Sequence, residues 1–277
     1  MPELPELAAF KSYLEHTCLH KKITDVTAHT KTLVKKTSFS TFKKTLVGKA
    51  FTSVESDGKY LIIHASGTIK KVVMHFGLTG TLFYIKNIAQ KVKYSQVSFI
   101  FGKQVLHWID RRKFGKIWFV EDVQSIPALR TLGPNPLKIS QKQFLDIIEN
   151  HATKNIKILL MDQKIIAGIG NEYSDEILFQ AGVDPHHKAR DLTVSTIKKI
   201  YTKMETVLRY AIKLRKKQVN KLDGNDFFAP EYRKEFKNSY LIAHRHMDNL
   251  CPKNKNHKLK KVTIGGRSAY YCPKDQT

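Results

Sequence analysis

The sequence predicts an α+β chain of more than one domain, in which an opening helix leads into a strand-rich half, then a helical half, then a short β-hairpin tail. Two observations carry this. Between about Ile23 and Val120 the apolar runs are β-branched and aromatic and are broken by Gly, Asn and Asp, whereas beyond residue 137 the apolar positions recur at helical spacing. The segment LGPNPL at 132–137 holds one Gly and two Pro in six residues and marks the boundary between the two patterns. At 277 residues the chain is long enough for two domains with proper cores.

The elements follow in order. MPELPELAAFKSYLEH opens a helix: Pro is tolerated in the first turn, Glu there complements the helix dipole, and Leu7, Phe10 and Leu14 form an apolar stripe. FTSVESDGKYLIIHA, TIKKVVMHF, GTLFYI, YSQVSFIFG and KQVLHWI read as strands, and several short strands after one helix form a sandwich or a barrel. SQKQFLDIIEN, NIKILLMDQ, NEYSDEILFQAG and TVSTIKKIYTKMETVLRYAIKLRKK read as helices, with Gly182 where a helix C-cap belongs. Residues 218–238 are polar and irregular. In the Lys-rich tail, KLKKVTI and SAYYC are strand-like pieces around Gly265-Gly266.

Charge narrows the partner. With 48 Lys and Arg against 24 Asp and Glu, the net charge of +24 points to a polyanion, most often nucleic acid. No long amphipathic basic helix serves a membrane surface, and nothing reads as a signal peptide or a membrane span. Three cysteines make no disulfide framework, so a reducing cytoplasm is the expected compartment.

Six stretches carry residue types suited to chemistry. Removal of Met1 would leave Pro2 with a secondary amine less basic than a lysine, able to attack a carbonyl carbon, with Glu3 as the nearest acid–base group. In MDQKIIAGIGNEYSDEILF two helices flank a glycine turn, so that Asn171 and the amides opening the second helix can face a phosphate; an ordinary helix hairpin reads equally well. DRRKFG at 110–115 sets three cations beside Phe114, suited either to phosphates and a base stack or to a solvated turn. SDGKYLIIH and MHFGLTG place Lys59 before a strand and Leu78 at the tip of a bend. In the tail, Cys251, His257, Cys272 and Asp275 can make a Cys₂-His-Asp zinc site, although the two-knuckle cysteine pattern is incomplete; the alternative is a zinc-free hairpin.

Taken in order, MPELPE, GKYL, HFGLTG, DRRKFG, LGPNPL, DQKIIAGIGNEYSDEILF and GGRSAYYCP resemble the formamidopyrimidine-DNA glycosylase/endonuclease VIII family, closer to its formamidopyrimidine branch, over almost the whole chain. The resemblance implies a helix-capped β-sandwich over 1–132, a linker and first helix over 133–150, a helix–two-turn–helix domain with a lesion loop over 151–240, and a zinc or zinc-less finger hairpin over 241–277. It implies a bifunctional glycosylase and abasic-site lyase of base-excision repair. Such an enzyme removes 8-oxoguanine and formamidopyrimidines and then cuts the strand by β,δ-elimination. Its partner would be double-stranded DNA with damaged bases or abasic sites, met by a monomer in a bacterial cytoplasm at the nucleoid.

By position, Pro2 matches the nucleophile, Glu3 the acid–base residue, Glu6 a carboxylate of the same site and Lys59 the lysine near the lesion's sugar and phosphate. Leu78, Arg112 and Phe114 match the residues that fill the gap left by the flipped base. Lys157 and Asn171 match polar groups that hold the DNA backbone, and Arg267 matches the finger arginine on the flanking phosphates. Where the formamidopyrimidine branch has a Gly-Gly-Thr-Thr loop, this chain has LRKKQVNKLDGNDFF (214–228). An endonuclease VIII-like preference for oxidised pyrimidines is therefore the nearest alternative, and a non-catalytic lesion-binding paralogue is a second.

Overall fold

A computed structural model of the chain describes residues 1–219, 235–244 and 250–277. It divides into two compact units. The first holds Met1–Thr131 together with the residues that begin at Arg215; the second holds Leu132–Leu214 and the described residues from 235 onward.

The first unit opens with α1 (Leu4–Thr17), β1 (Asp25–Ala28), β2 (Val34–Lys35) and α2 (Phe39–Leu46). Then come β3 (Phe51–Asp57), β4 (Tyr60–Ala65), β5 (Lys71–His75), β6 (Thr81–Ile85), β7 (Ser95–Phe101), β8 (Gln104–Ile109), β9 (Lys116–Val120) and α3 (Pro127–Arg130). The strands form a five-stranded sheet, β2-β9-β5-β4-β3, and a four-stranded sheet, β1-β7-β8-β6. All neighbours are antiparallel except β2 and β9. Alternate residues of each sheet meet in one core: Leu61, Ile63, Val72 and Met74 from one, Val97, Phe99, Leu106 and Trp108 from the other. The predicted stripe of α1, Leu7, Phe10 and Leu14, is buried in that same core, so the architecture is a helix-capped sandwich and not a barrel. One element departs from the strand-rich expectation. SFSTFKKTL is helical because the Ser38 hydroxyl accepts the Thr41 amide at 3.1 Å and Phe42 and Leu46 bury one face.

Two connections cross between the sheets at one end of the sandwich. The β5–β6 link carries Leu78 and the β8–β9 link carries Arg112 and Phe114; His75 pairs with Lys116 and Thr81 with Ile109, which sets the links side by side. At Gly77 (φ +58°) a Cβ would come within 2.6 Å of the Phe114 carbonyl carbon and the Gly115 nitrogen. The two backbones therefore touch, and only glycine fits there.

The second unit contains α4 (Gln141–Asn150), α5 (Ile156–Met161), α6 (Asn171–Ala181), the long α7 (Val194–Val219) as far as Leu214, α8 (Leu241–His244) and a hairpin of β10 (Lys260–Ile264) and β11 (Arg267–Tyr271). Its helices pack around Phe144, Leu159, Leu160, Ile177, Leu178, Met204 and Leu208. Gly182 ends α6 in the left-handed conformation, at φ +70°. Most of the segment expected to be the lesion loop, 214–228, lies outside the described residues. Among the described residues no helix is long and apolar enough to cross a membrane.

Candidate active site

The chain start is built as a buried cap. Pro2, Glu3 and Glu6 are buried although Met1 is exposed. Glu3 is the extended N-cap of α1, and Pro5 sits in its first turn. Glu6 Oε2 accepts the Glu3 amide at 2.8 Å, and its Oε1 accepts Arg215 Nε at 2.9 Å and lies at ion-pair distance, 2.8 Å, from Nη2. Arg215, fully buried, is a partner of the candidate site that the sequence reading did not find. Its signal was its phase: it follows the buried Leu208 and Ala211 by seven and four positions, on the inward face of α7.

Lys59 is also buried, in the turn before β4. Beside it, Tyr60 pairs with His75, their rings 5.0 Å apart. Burial, and then the charges of Lys59 and Lys116, push the His75 imidazole down to about 4. The ring is therefore neutral near pH 7, and its Nδ1 accepts the Gly77 amide at 3.3 Å. His75 thus joins the strand that follows Lys59 to the bend that carries Leu78. It is a second residue the motifs alone did not reveal.

At the sandwich end, three candidates stand in the open. Leu78 is 37% exposed and Phe114 51%. The Arg112 guanidinium lies over the Phe114 ring at 4.8 Å, an arrangement in which cation and ring support each other.

In the second unit, Asn155 caps α5 by accepting the Ile158 amide at 3.1 Å. Gln163 closes the glycine turn: its Nε2 donates to the Met161 and Ile169 carbonyls at 2.7 Å, and its Oε1 accepts the Gly168 amide at 2.9 Å. Gly170 is the extended N-cap of α6, directly before Asn171, and brings no side chain of its own to the helix start. Lys157 is placed differently from a surface phosphate ligand. It is fully buried, and its Nζ donates to Asp175 Oδ1 at 2.5 Å, Ser174 Oγ at 3.1 Å and the Asn171 carbonyl at 3.4 Å. Its place is beneath Asn171, holding the start of α6. Asp175 Oδ2 in turn accepts the Tyr270 amide of β11 at 3.1 Å, and Gly265 lies against Ile158 of α5. The hairpin that ends in the exposed Arg267 is thus fastened to the same two helices.

The tail gathers three of its four candidate ligands. Cys251, Cys272 and Asp275 bring their ligand atoms within 4.8 Å of one another, a cluster that can hold a metal ion. Both thiols donate to Asp275 Oδ2, at 2.8 and 3.0 Å. His257 joins only through Asp275, its Nδ1 3.0 Å from the same oxygen. Burial, followed by the bond to Asp275, pushes the Cys251 thiol up to about 12, while the Cys251 bond first, then those of Cys272 and His257, hold Asp275 down to about 2. Two sulfurs and a carboxylate form a donor set that suits zinc.

Comparison with known proteins agrees with this geometry. Residues 1–117 match the formamidopyrimidine-DNA glycosylase N-terminal domain, and residues 132–223 match the formamidopyrimidine-DNA glycosylase H2TH domain. Formamidopyrimidine-DNA glycosylase of Carboxydothermus hydrogenoformans is 32% identical over 274 residues, covering 99% of this chain and 98% of the relative. The Mycoplasma mobile protein of that name is 30% identical over 279 residues, covering 100% and 99%. Among solved structures, Lactococcus lactis Fpg in complex with abasic-site DNA superposes with a TM-score of 0.82 at 25% identity over 99% of both chains. MutM in complex with DNA containing carbocyclic 8-oxo-G gives 0.82 at 26% over 100% of both.

Proposed function

The chain belongs to the formamidopyrimidine-DNA glycosylase family, and on that premise we propose how its own residues carry out excision. It is a DNA glycosylase of base-excision repair with abasic-site lyase activity, acting on double-stranded DNA that carries damaged bases or abasic sites. Once Met1 is removed, the Pro2 nitrogen attacks C1′ of the damaged nucleoside and the base departs with the electron pair of its glycosidic bond. Glu3 supplies the proton that opens the sugar ring. The resulting iminium acidifies C2′–H; loss of that proton expels the 3′ phosphate, and a second elimination expels the 5′ phosphate. Glu6, held by Arg215 and by the Glu3 amide, fixes the cap that carries the amine. Lys59 serves the lesion's sugar and phosphate.

Leu78, Arg112 and Phe114 fill the gap, offsetting an unstacking cost of a few kcal/mol. Asn171 and Arg267 take flanking phosphates, and Lys157 supports Asn171 from beneath. Oxidised purines are the expected bases; the sequence of 214–228 makes oxidised pyrimidines the second reading. The setting is a bacterial cytoplasm, at the nucleoid. The observation that carries the proposal is the buried N-terminal cap, in which a carboxylate and a guanidinium organise the residue next to Pro2.

Borohydride trapping on a duplex with one abasic site tests it. The Met-free protein should give a covalent adduct mapped to Pro2, and Pro2→Gly should lose strand cleavage while keeping DNA binding. Unchanged cleavage by Pro2→Gly would remove Pro2 from the mechanism. Parallel lanes with 8-oxoguanine and dihydrouracil decide between the base classes. In the tail, Cys251, Cys272 and Asp275 would hold zinc, with His257 completing the set, and the ion would add folding stability to the hairpin. Elemental analysis should find one zinc per active chain; active protein without it would leave the hydrogen-bonded hairpin as the whole finger.

A further inference from the structure

We propose that Asp110 is a positioning residue for gap filling: it fastens the loop carrying Leu78 to the loop carrying Arg112 and Phe114, so that the three side chains are presented as one edge. The inference rests on the glycosylase reading given above. Asp110 is fully buried at the end of β8. Its Oδ1 accepts the Thr79 hydroxyl at 2.7 Å and the Arg112 amide at 3.2 Å, and its Oδ2 accepts the Gly115 amide at 2.7 Å. Thr79 is the residue after Leu78, and Gly115 the residue after Phe114. One carboxylate therefore grips both loops at points adjacent to the candidate wedge residues. The Arg112 amide also reaches Thr79 Oγ1 at 3.3 Å, closing a triangle.

The Asp110 main chain is itself fixed. Its amide donates to the Tyr94 carbonyl at 3.1 Å, and its carbonyl accepts Nε2 of the buried Gln96 at 2.9 Å. A buried carboxylate costs free energy unless donors converge on it, and here the donors come from exactly the two segments that must keep a fixed separation. Side chains that enter a base stack from two independent loops would have to be ordered on each encounter; loops already joined avoid that cost.

The test compares two substrates in the same enzyme. On a duplex with a damaged base the wedge must displace a stacked base; on a duplex with a preformed abasic site there is none to displace. Asp110→Asn should lower kcat/KM for base release about tenfold or more, with a clearly smaller fall in cutting at the abasic site. Thr79→Val, which removes a single hydroxyl and leaves the fold intact, should shift the ratio in the same direction. The double variant should be little worse than Asp110→Asn alone, because both act through one bond. A binding arm stands apart from catalysis: with 2-aminopurine beside a tetrahydrofuran site, the fluorescence rise seen with the parent should shrink in both variants. Equal falls on both substrates, an unchanged ratio, additive losses or an unchanged fluorescence rise would each overturn the role of Asp110. A parent that fails to trap on abasic DNA would instead remove the Pro2 chemistry, and the fluorescence arm would still decide on Asp110.

Discussion

Asp110 in the first unit and Asp175 in the second are both fully buried carboxylates beneath candidate DNA-facing segments, yet their charge is met in different ways. The donors on Asp110 are a hydroxyl and two main-chain amides. Asp175 takes the ammonium of Lys157 on one oxygen and the Tyr270 amide on the other. Oriented dipoles fix loops because each donor belongs to the backbone being held. An ion pair fixes two elements more strongly, but each partner then depends on the other, since removing either leaves a bare charge in the interior. Glu176, next to Asp175, is a third case. It accepts Gln180 Nε2 and the Ile242 amide, both at 2.8 Å, and burial pushes its carboxyl up to about 7. Its donors hold its position and lower its pKa, but burial outweighs them.

The largest effect should come from breaking the ion pair. Lys157→Met should destabilise the protein by about 3–5 kcal/mol in urea unfolding, because Asp175 is left charged and buried. Lys157→Met combined with Asp175→Leu should recover part of that loss. A cost below about 1 kcal/mol for the single change would mean that the dipoles around Asp175 suffice, and the contrast with Asp110 would vanish.

A smaller and more diagnostic effect concerns Glu176. Its folded value lies above its unfolded one, so the native state holds a proton that the unfolded chain has released. That contribution is full below about pH 4.5 and is lost as pH rises toward about 7. Glu176→Gln should therefore flatten the fall in melting temperature between pH 5 and 7. Parallel profiles for parent and variant would show that Glu176 is ionised in the native protein throughout.

Much of the fold was legible because it is local. Leu7, Phe10 and Leu14 declared α1 by their spacing, the β-branched runs declared the strands, and Gly265-Gly266 declared the hairpin turn. Residues 38–46 were harder, since a helix of eight residues depends on one serine cap and two buried side chains set among strands. The site was legible only where a motif carries its own chemistry. Arg215 meets Glu6 across 209 positions, a pairing no local pattern encodes. Asp110 stood inside DRRKFG, but the motif displays its cations and hides its acid. The cations face water, whereas the acid points inward under the turn. Lys157 looks like a surface cation in sequence and proves to be an interior one, because α5 turns that position toward α6.

The cap at the start of the chain has a consequence for the life of the protein in a cell. Helix α1, its capping carboxylate and the Arg215 contact all begin at Glu3, and Met1 projects outside them. The cap forms with Met1 still in place, while the proposed nucleophile exists only after trimming, since until then the Pro2 nitrogen is an amide. A ribosome that outpaces its aminopeptidase would release well-folded molecules that occupy lesions without cutting them. In such a cell repair capacity would follow the trimming enzyme rather than the amount of this protein, and any tag fused ahead of Pro2 would make the whole population silent.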